Sequence, residues 1–407
     1  MNKIISIFAW LITFNLVAQT NIKVMSYNLL QYPSGTNSDR KDELRYVLNT
    51  YHPDILIAVE LEDENGADEV LNYCLGTQDY AMGSFIYNQS GSYFLQQMVY
   101  YNKHKFDMTY QTAIISRVRD INHYRLQLRN NDPNNPVVLE VYAAHLKASQ
   151  GAQNENTRNQ MVQAFTDDLQ NLPADSFVIF AGDFNLYYSN EPAYQEIIDP
   201  TNAIVMVDPI NRPGYWHNNS SFSDIHSQST HRYSGNDFVG GGLNDRFDFI
   251  MTSQNMTSSP LLHYIPNTYG SYGNNGNCYN KSINDNSCNG TAYDANLRNH
   301  LYNMSDHLPV VMELESNQNV VGILQSENEL QLYIVHGNIV YNNLIINGKD
   351  KVKTELEIIN SIGQVIYTTS NYQLGKIIEV SYLQSGIYFV HLKQGNKSKI
   401  IKFVKTN

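Results

Sequence analysis

Phe177-Val178-Ile179-Phe180-Ala181-Gly182 is an unbroken apolar run that stops on Asp183-Phe184-Asn185. Short, aromatic and β-branched, it reads as a buried strand rather than a helix. Side chains alternate along a strand, so Asp183 and Asn185 are expected to leave the sheet on one face. A carboxylate accepts or coordinates and a carboxamide both donates and accepts, so the pair suits a nucleophilic water and a phosphate oxygen held together. On its own the stretch equally fits an Asx-rich turn.

The same pattern recurs along the chain. Ile22 to Tyr27 runs into Asn28, Ile55 to Val59 into Glu60, and Val137 to Ala144 into His145. Further strands are expected at Gly83–Tyr87, Gln97–Tyr101, Arg246–Met251 around Asp248, and Leu308–Leu314 just after Ser305-Asp306-His307. Helices are expected from a Ser38 cap to about Thr50, over Ala67–Leu75, and over Asn154–Leu172. Strands tipped with polar residues and separated by sparse helices favour a two-sheet α/β sandwich over a doubly wound parallel sheet.

With 407 residues the chain exceeds one ordinary core, and its character changes near Gln318. From there nine Lys/Arg face six Asp/Glu and short strands follow one another, whereas residues 20–317 carry a net charge of −16, more than the −12 of the whole chain. The expected organisation is a leader over 1–19, a main domain over 20–317 and a small all-β domain over 318–407. An acidic body does not attract polyphosphates at long range, so a phosphate substrate must be met by metal ions and a local basic patch.

Lys3, the mostly apolar Ile4–Val17 and Ala18 read as a secretory signal peptide, too short to span a membrane, and no other stretch qualifies as a span. Export suits Cys278 and Cys288, placed to close a small disulfide worth roughly 2–3 kcal/mol. Cys74 reads as a buried hydrophobe. His217, His226 and His231 match no zinc spacing, and the Asn-, Gly- and Tyr-rich stretch 267–299 is a long loop suited to substrate contact.

The strand tips are chemically complementary. Phosphodiester hydrolysis calls for a hard cation on oxygen ligands, which Glu60, Asn28 and Asp306 offer. It also calls for a base and an acid, the role of histidine near neutral pH, and for a carboxylate such as Asp248 to fix a histidine tautomer.

Six segments, "MSYNLL", "PDILIAVELED", "AAHLKAS", "FAGDFN", "DRFDFIM" and "MSDHLPV", resemble the endonuclease/exonuclease/phosphatase superfamily over about Ile22–Leu314. The resemblance implies a deoxyribonuclease I-like sandwich. It further implies Glu60 as metal ligand with Asn28 beside it, and Asp306 as the carboxylate preceding a catalytic His307 held by Asp248. Asp183 and Asn185 would position water and phosphate, His145 would be a second catalytic histidine, and Lys147 would touch phosphate. Glu62 and Asp245 stand as rivals to Glu60 and Asp248. The tail segments "IINSIGQVIY", "VSYLQSGIYFVHL" and "KIIKFVKTN" resemble the sorting domain of type IX secretion substrates.

Together these readings imply a metal-dependent phosphodiesterase using Mg²⁺, with Mn²⁺ or Ca²⁺ as alternatives. It would be exported through the periplasm and secreted or held at the cell surface, its tail engaging the outer-membrane secretion machinery. The expected substrate is DNA or RNA. His307 is expected to activate water and His145 to protonate the leaving oxygen, in roles that are exchangeable. A sphingomyelinase-like lipid phosphodiesterase, a phosphomonoesterase and a binding module with an inactive site are the alternatives.

Overall fold

The computed structural model describes residues 19–36, 39–130, 134–320, 332–335, 338–348, 354–394 and 397–406. All of the expected leader except Gln19, together with the Ser38 cap, lies outside them. The chain divides into two compact units, 1–322 and 323–407.

The first unit starts with strand β1 (Thr20–Tyr32), helix α1 (Lys41–Tyr51) and strand β2 (Ile55–Leu61). Helix α2 (Glu64–Glu69) runs on as a wider turn through Val70–Leu75, and strands β3 (Tyr80–Met82) and β4 (Gln96–Asn102) follow. Then come β5 (Phe106–Ile114), β6 (Ile121–Leu128), β7 (Val138–His145), the long helix α3 (Ala152–Leu169) and β8 (Phe177–Asp183). Helix α4 (Pro192–Ile197), β9 (Met206–Val207), β10 (Asp248–Ser253), β11 (His263–Tyr264), β12 (Gly270–Ser271), helix α5 (Ala295–Met304) and β13 (Val310–Ser316) complete it.

Two sheets result. One runs β11-β13-β1-β2-β4-β3 with β12 beside β13, and the other runs β5-β6-β7-β8-β10-β9. Between them lies a core of alternating strand residues, Ile22, Val24, Ile55 and Ile57 facing Leu126, Val141, Ile179 and Ile250. Helices α1 and α5 cover the outer face of the first sheet through Leu44, Val47 and Leu301. Helix α3 covers the second through Met161, Val162 and Phe165. This is a mixed α/β sandwich.

Two expectations need correction. Gly83–Tyr87 is not a strand; the ladder beside β4 is Tyr80–Met82. Strands β5 and β6 fall in a stretch with no apolar run, because β5 is an edge strand with largely exposed or half-exposed side chains that need no hydrophobic face.

The register of the second sheet sets the site. His145 on β7 pairs with Asp183 on β8, and Asp183 pairs with Asp248 on β10, so three chemical groups stand level across neighbouring strands. Gly182 sits one residue below Asp183 at φ 139°, and a Cβ there would lie 1.8 Å from the Ala144 carbonyl oxygen. Only glycine lets β7 and β8 approach at that level.

The second unit is all β. Its strands Thr354–Asn360, Val365–Tyr372, Gly386–Gln394 and Lys397–Lys405 belong to a five-stranded sheet, accompanied by a three-stranded one.

Candidate active site

Asn28 lies on β1 and Glu60 on β2, neighbouring parallel strands inside the first sheet, and both stand toward the C-terminal ends of their strands, where they meet Asp183 and His145. Glu60 adopts φ 66°, a left-handed conformation that turns its carboxylate out of the ladder. Arg40 ties the end of β1 to the segment before His307, donating to the carbonyls of Leu29, Leu30 and Met304. Ser305 adds to that link, its Oγ donating to the Asn28 carbonyl and accepting from the His307 N–H.

Asn28 Nδ2 is the hub. It donates to Glu60 Oε1 at 2.9 Å and to Asp183 Oδ2 at 3.1 Å, and lies 3.4 Å from His307 Nε2. Its Oδ1 accepts from the Leu30 N–H, so the amide presents hydrogen rather than oxygen to the carboxylates. His145 approaches from one side, Nε2 at 3.6 Å from Asp183 Oδ2 and Nδ1 at 3.8 Å from Glu60 Oε1. His307 approaches from the other, Nε2 at 3.8 Å from the same Asp183 oxygen. His307 Nδ1 donates to Asp248 Oδ2 at 2.8 Å, and that oxygen is fixed by the Ser227 hydroxyl at 2.6 Å.

Both rivalries resolve. Asp245 binds His217 Nδ1 at 2.6 Å rather than His307. Glu62 accepts from the Ser34 N–H, whereas Glu60 joins the buried group. Asn185 is where the alternation argument fails: β8 ends at Asp183, Phe184 turns into the core, and Asn185 takes φ 51°. Its place comes from the turn, with its N–H on Asp183 Oδ1 and its Nδ2 at 3.4 Å from the Leu146 carbonyl. Lys147 bonds the Ala148 carbonyl through Nζ. Asp306 lies beside the group, Oδ2 accepting from the Val239 N–H and Oδ1 buried without a partner.

The electrostatics are those of carboxylates crowded away from water. Burial pushes Asp183 up to about 7, with Asp248 and Glu60 adding to the rise and His307 opposing it. Burial likewise pushes Asp306 up to about 6, aided by Glu60. His307 is also buried, but the charges of Asp248 and Asp183 outweigh the desolvation and hold its pKa well above the ordinary histidine value. Burial and the nearby Arg119 hold His145 well below it. Of the two histidines, His307 is thus the one whose surroundings favour the charged form.

Buried carboxylates without a compensating cation, an unpartnered Asp306 Oδ1 and an unpartnered His145 Nδ1 fit a site for a divalent cation. Glu60, His145 and Asp183 each bring a ligand atom within 4.8 Å of the others.

Reading the chain alone misses several members. Gln228 Nε2 lies 2.7 Å from His307 Nε2, where it donates to the neutral ring; turned over, the amide would accept from the imidazolium. It is held there by backbone bridges to Asp245 and His307. The buried pair Arg158–Glu191 links the loops after β7 and β8, Arg158 also donating to the Lys147 and Ser149 carbonyls. The remaining histidines have structural partners: His226 sits between the Trp216 and Leu243 carbonyls, and His231 stacks between Phe238 and Tyr302. Much of the 267–299 loop turns inward, with Asn274 and Asn275 on backbone carbonyls and Cys278 joined to Cys288.

Residues 25–307 match the Endonuclease/Exonuclease/phosphatase family, and the chain belongs to that family, whose members are generally phosphoric ester hydrolases. Residues 335–406 match the Secretion system C-terminal sorting domain, which indicates an exported protein, secreted or at the cell surface, that meets the secretion machinery. No curated protein matches the chain. Among solved structures, D. rerio TDP2 complexed with a single-strand DNA product is 14% identical, covering 72% of this chain and 99% of that one at a TM-score of 0.46. A family member from Bacteroides vulgatus is 14% identical, covering 73% and 99%, also at 0.46. The Bacteroides thetaiotaomicron mannosyl-6-phosphatase is 13% identical, covering 72% and 99% at 0.43. Among the described residues no helix is long and apolar enough to cross a membrane.

Proposed function

We propose that the protein is an exported, divalent-cation-dependent phosphodiesterase acting on nucleic acid, with Asn28, Glu60, His145, Asp183, Asn185, Asp248, Asp306 and His307 as its working residues. The observation that carries this reading is the approach of two histidines to one oxygen, Asp183 Oδ2, from 3.6 and 3.8 Å, with Glu60 bonded to the same asparagine amide. Glu60, with Asp306 beside it, would hold a Mg²⁺ ion, and such an ion supplies polarisation of a phosphoryl oxygen when bound; Asn28, expected as a ligand, instead turns its Nδ2 to Glu60 and its oxygen to the Leu30 N–H, and so orients the glutamate.

The protein's own groups manage water and protons. Asp183 and Asn185 bracket the space for a water and a phosphoryl oxygen, since one accepts and the other donates. The charge distribution favours an exchange of the two histidine roles from those read off the chain. His307, whose charged form Asp248 and Asp183 favour, would give a proton to the departing oxygen. His145, neutral, or Asp183, poised near 7, is the group able to take one from water. Lys147, near enough to depress His145, adds positive charge for the phosphate. The tail would direct passage from the periplasm across the outer membrane and take no part in hydrolysis.

The test uses the mature chain with Mg²⁺, Mn²⁺, Ca²⁺ or EDTA on plasmid DNA, total RNA, sphingomyelin and bis-(p-nitrophenyl) phosphate, beside His307→Ala. Nucleic-acid cleavage lost with EDTA and with the variant is the expected result. Turnover of sphingomyelin alone would move the protein to lipid substrates, and no turnover on any phosphoester would overturn the reading.

A further inference from the structure

Arg119 lies in the turn between β5 and β6 and is buried, 6% exposed. Nη1 makes its hydrogen bonds, both long, to the carbonyls of His145 at 3.4 Å and Leu146 at 3.3 Å. Nε is buried without a partner. The Tyr93 ring covers the guanidinium, 4.5 Å from Cζ. Among the described residues no carboxylate lies within ion-pair distance of it, and the neighbouring Asp120 is occupied by Ser90 and Gln89. Its nearest anions in effect are Glu60 and Asp183, whose fields partly offset the loss of hydration.

The other buried arginines of this unit have closer partners, although Arg40, Arg246 and Arg298 likewise leave Nε unpartnered: Arg158 pairs with Glu191, Arg246 with Asp208, Arg40 bonds three carbonyls at 2.6–2.8 Å, and Arg298 bonds the Ile283 and Asp285 carbonyls and Asn289 Oδ1. Burying a guanidinium with weak partners costs several kcal/mol, an expense a fold retains where an anion arrives. The Leu146 carbonyl ties the position to the site, because it accepts from both Arg119 Nη1 and Asn185 Nδ2. Arg119 thus shares an acceptor with the carboxamide that brackets the phosphoryl oxygen, while Lys147, with one donor on the Ala148 carbonyl, supplies only a point charge nearby. A planar fork of donors suits phosphate oxygens better than a point charge does.

We propose that Arg119 is a phosphate-binding residue of this site, meeting a non-bridging oxygen of the scissile phosphate on the Asn185 side and stabilising the charge that grows there. The inference deepens the phosphoesterase reading and rests on it. The acidic surroundings make such a cation necessary, since the unit offers no long-range attraction for a phosphoryl group.

The experiment compares the full-length protein with Arg119→Ala and Arg119→Lys in Mg²⁺. It measures kcat and KM on bis-(p-nitrophenyl) phosphate, affinity for inorganic phosphate by calorimetry, melting temperature, and rescue of Arg119→Ala by added guanidinium. The expected losses for Arg119→Ala are about 10²–10³-fold, chiefly in kcat, as for removal of one fixed transition-state donor. Phosphate binding should weaken about tenfold, and guanidinium should restore at least tenfold in rate. Arg119→Lys, which keeps the charge and stem, should lose about tenfold and decides the matter should the alanine variant not fold. Rates within threefold of the parent for both variants would overturn the inference. So would lost turnover with unchanged phosphate affinity and no rescue, the signature of a merely structural arginine. If the parent hydrolyses no phosphoester, the functional reading fails, and Arg119 is then judged by phosphate affinity alone.

Discussion

The two units of this chain are both built on β-sheet with alternating apolar residues, yet they treat charge in opposite ways. In the C-terminal unit the buried positions are Leu344, Ile346, Leu356, Ile358, Val390, Leu392 and Phe403. Among its described residues the cluster of Glu357 with His391 and Lys393 stays partly in solvent, and the buried Lys405 stands alone with its Nζ on the Thr406 carbonyl. In the N-terminal unit His145, Asp183, Asp248, Asp306 and His307 are each 4% exposed or less and lie together. Sheets stabilised only by apolar burial carry no such penalty, so the concentration of buried titratable groups marks where stability is given up for chemistry.

Four experiments sharpen or break that contrast. The largest effect is expected from His307→Ala, a loss of about 10³-fold or more in kcat on DNA, since the proton donor and its charge go together. The loss should be much smaller on bis-(p-nitrophenyl) phosphate, because nitrophenolate departs without a proton, whereas His145→Ala should lose similarly on both substrates. The reverse pattern would return the water-activating role to His307.

Gly182→Ala comes next. A methyl driven onto the Ala144 carbonyl at positive φ should cost about 3 kcal/mol, read as a fall in denaturation midpoint. A variant as stable as the parent would mean that β7 and β8 need not meet so closely.

The third prediction concerns pH. Asp183 is raised from 3.8 to about 7 in the folded protein, so between those values the folded state binds more protons than the unfolded one. Its contribution is present below about pH 4 and lost as pH rises through 7, and Asp306 acts in the same sense up to about 6. The EDTA-treated protein should therefore lose stability from pH 4 to 8. Asp183→Asn, inactive, should melt higher than the parent at pH 8, by a free energy of the order of 2–4 kcal/mol. Equal melting temperatures at that pH would show that the carboxylate is not strained there.

The smallest effect is none: a chain ending at Gly322 should keep kcat/KM within twofold of the full-length protein. A larger drop would give the sorting domain a part in the site.

Much of this was written in the order of residues. The apolar runs ending in His145 and Asp183 announced strand tips, because a buried strand is mostly apolar and its polar side chains gather where the ladder stops, whereas Asn28 falls inside β1, which runs on to Tyr32. The helix of Met161, Val162 and Phe165 was legible from its spacing, and the shift of composition near Gln318 announced a second unit. The edge strand at Phe106–Ile114 was not legible, since a half-exposed strand has no apolar run to betray it.

The sequence by itself determined which chemical groups the chain possesses and that they stand at strand ends, for local periodicity controls those features. Tertiary structure alone decided that Asp248 rather than Asp245 holds His307 and that Asn28 turns its Nδ2 toward Glu60 and Asp183. It alone brought Gln228 against His307 and Arg119 against the His145 and Leu146 carbonyls, and it set which histidine has carboxylate neighbours that favour its charged form. Those outcomes depend on strand register, left-handed turns at Glu60 and Asn185, and contacts between groups up to 279 residues apart in the chain, none of which a local pattern encodes.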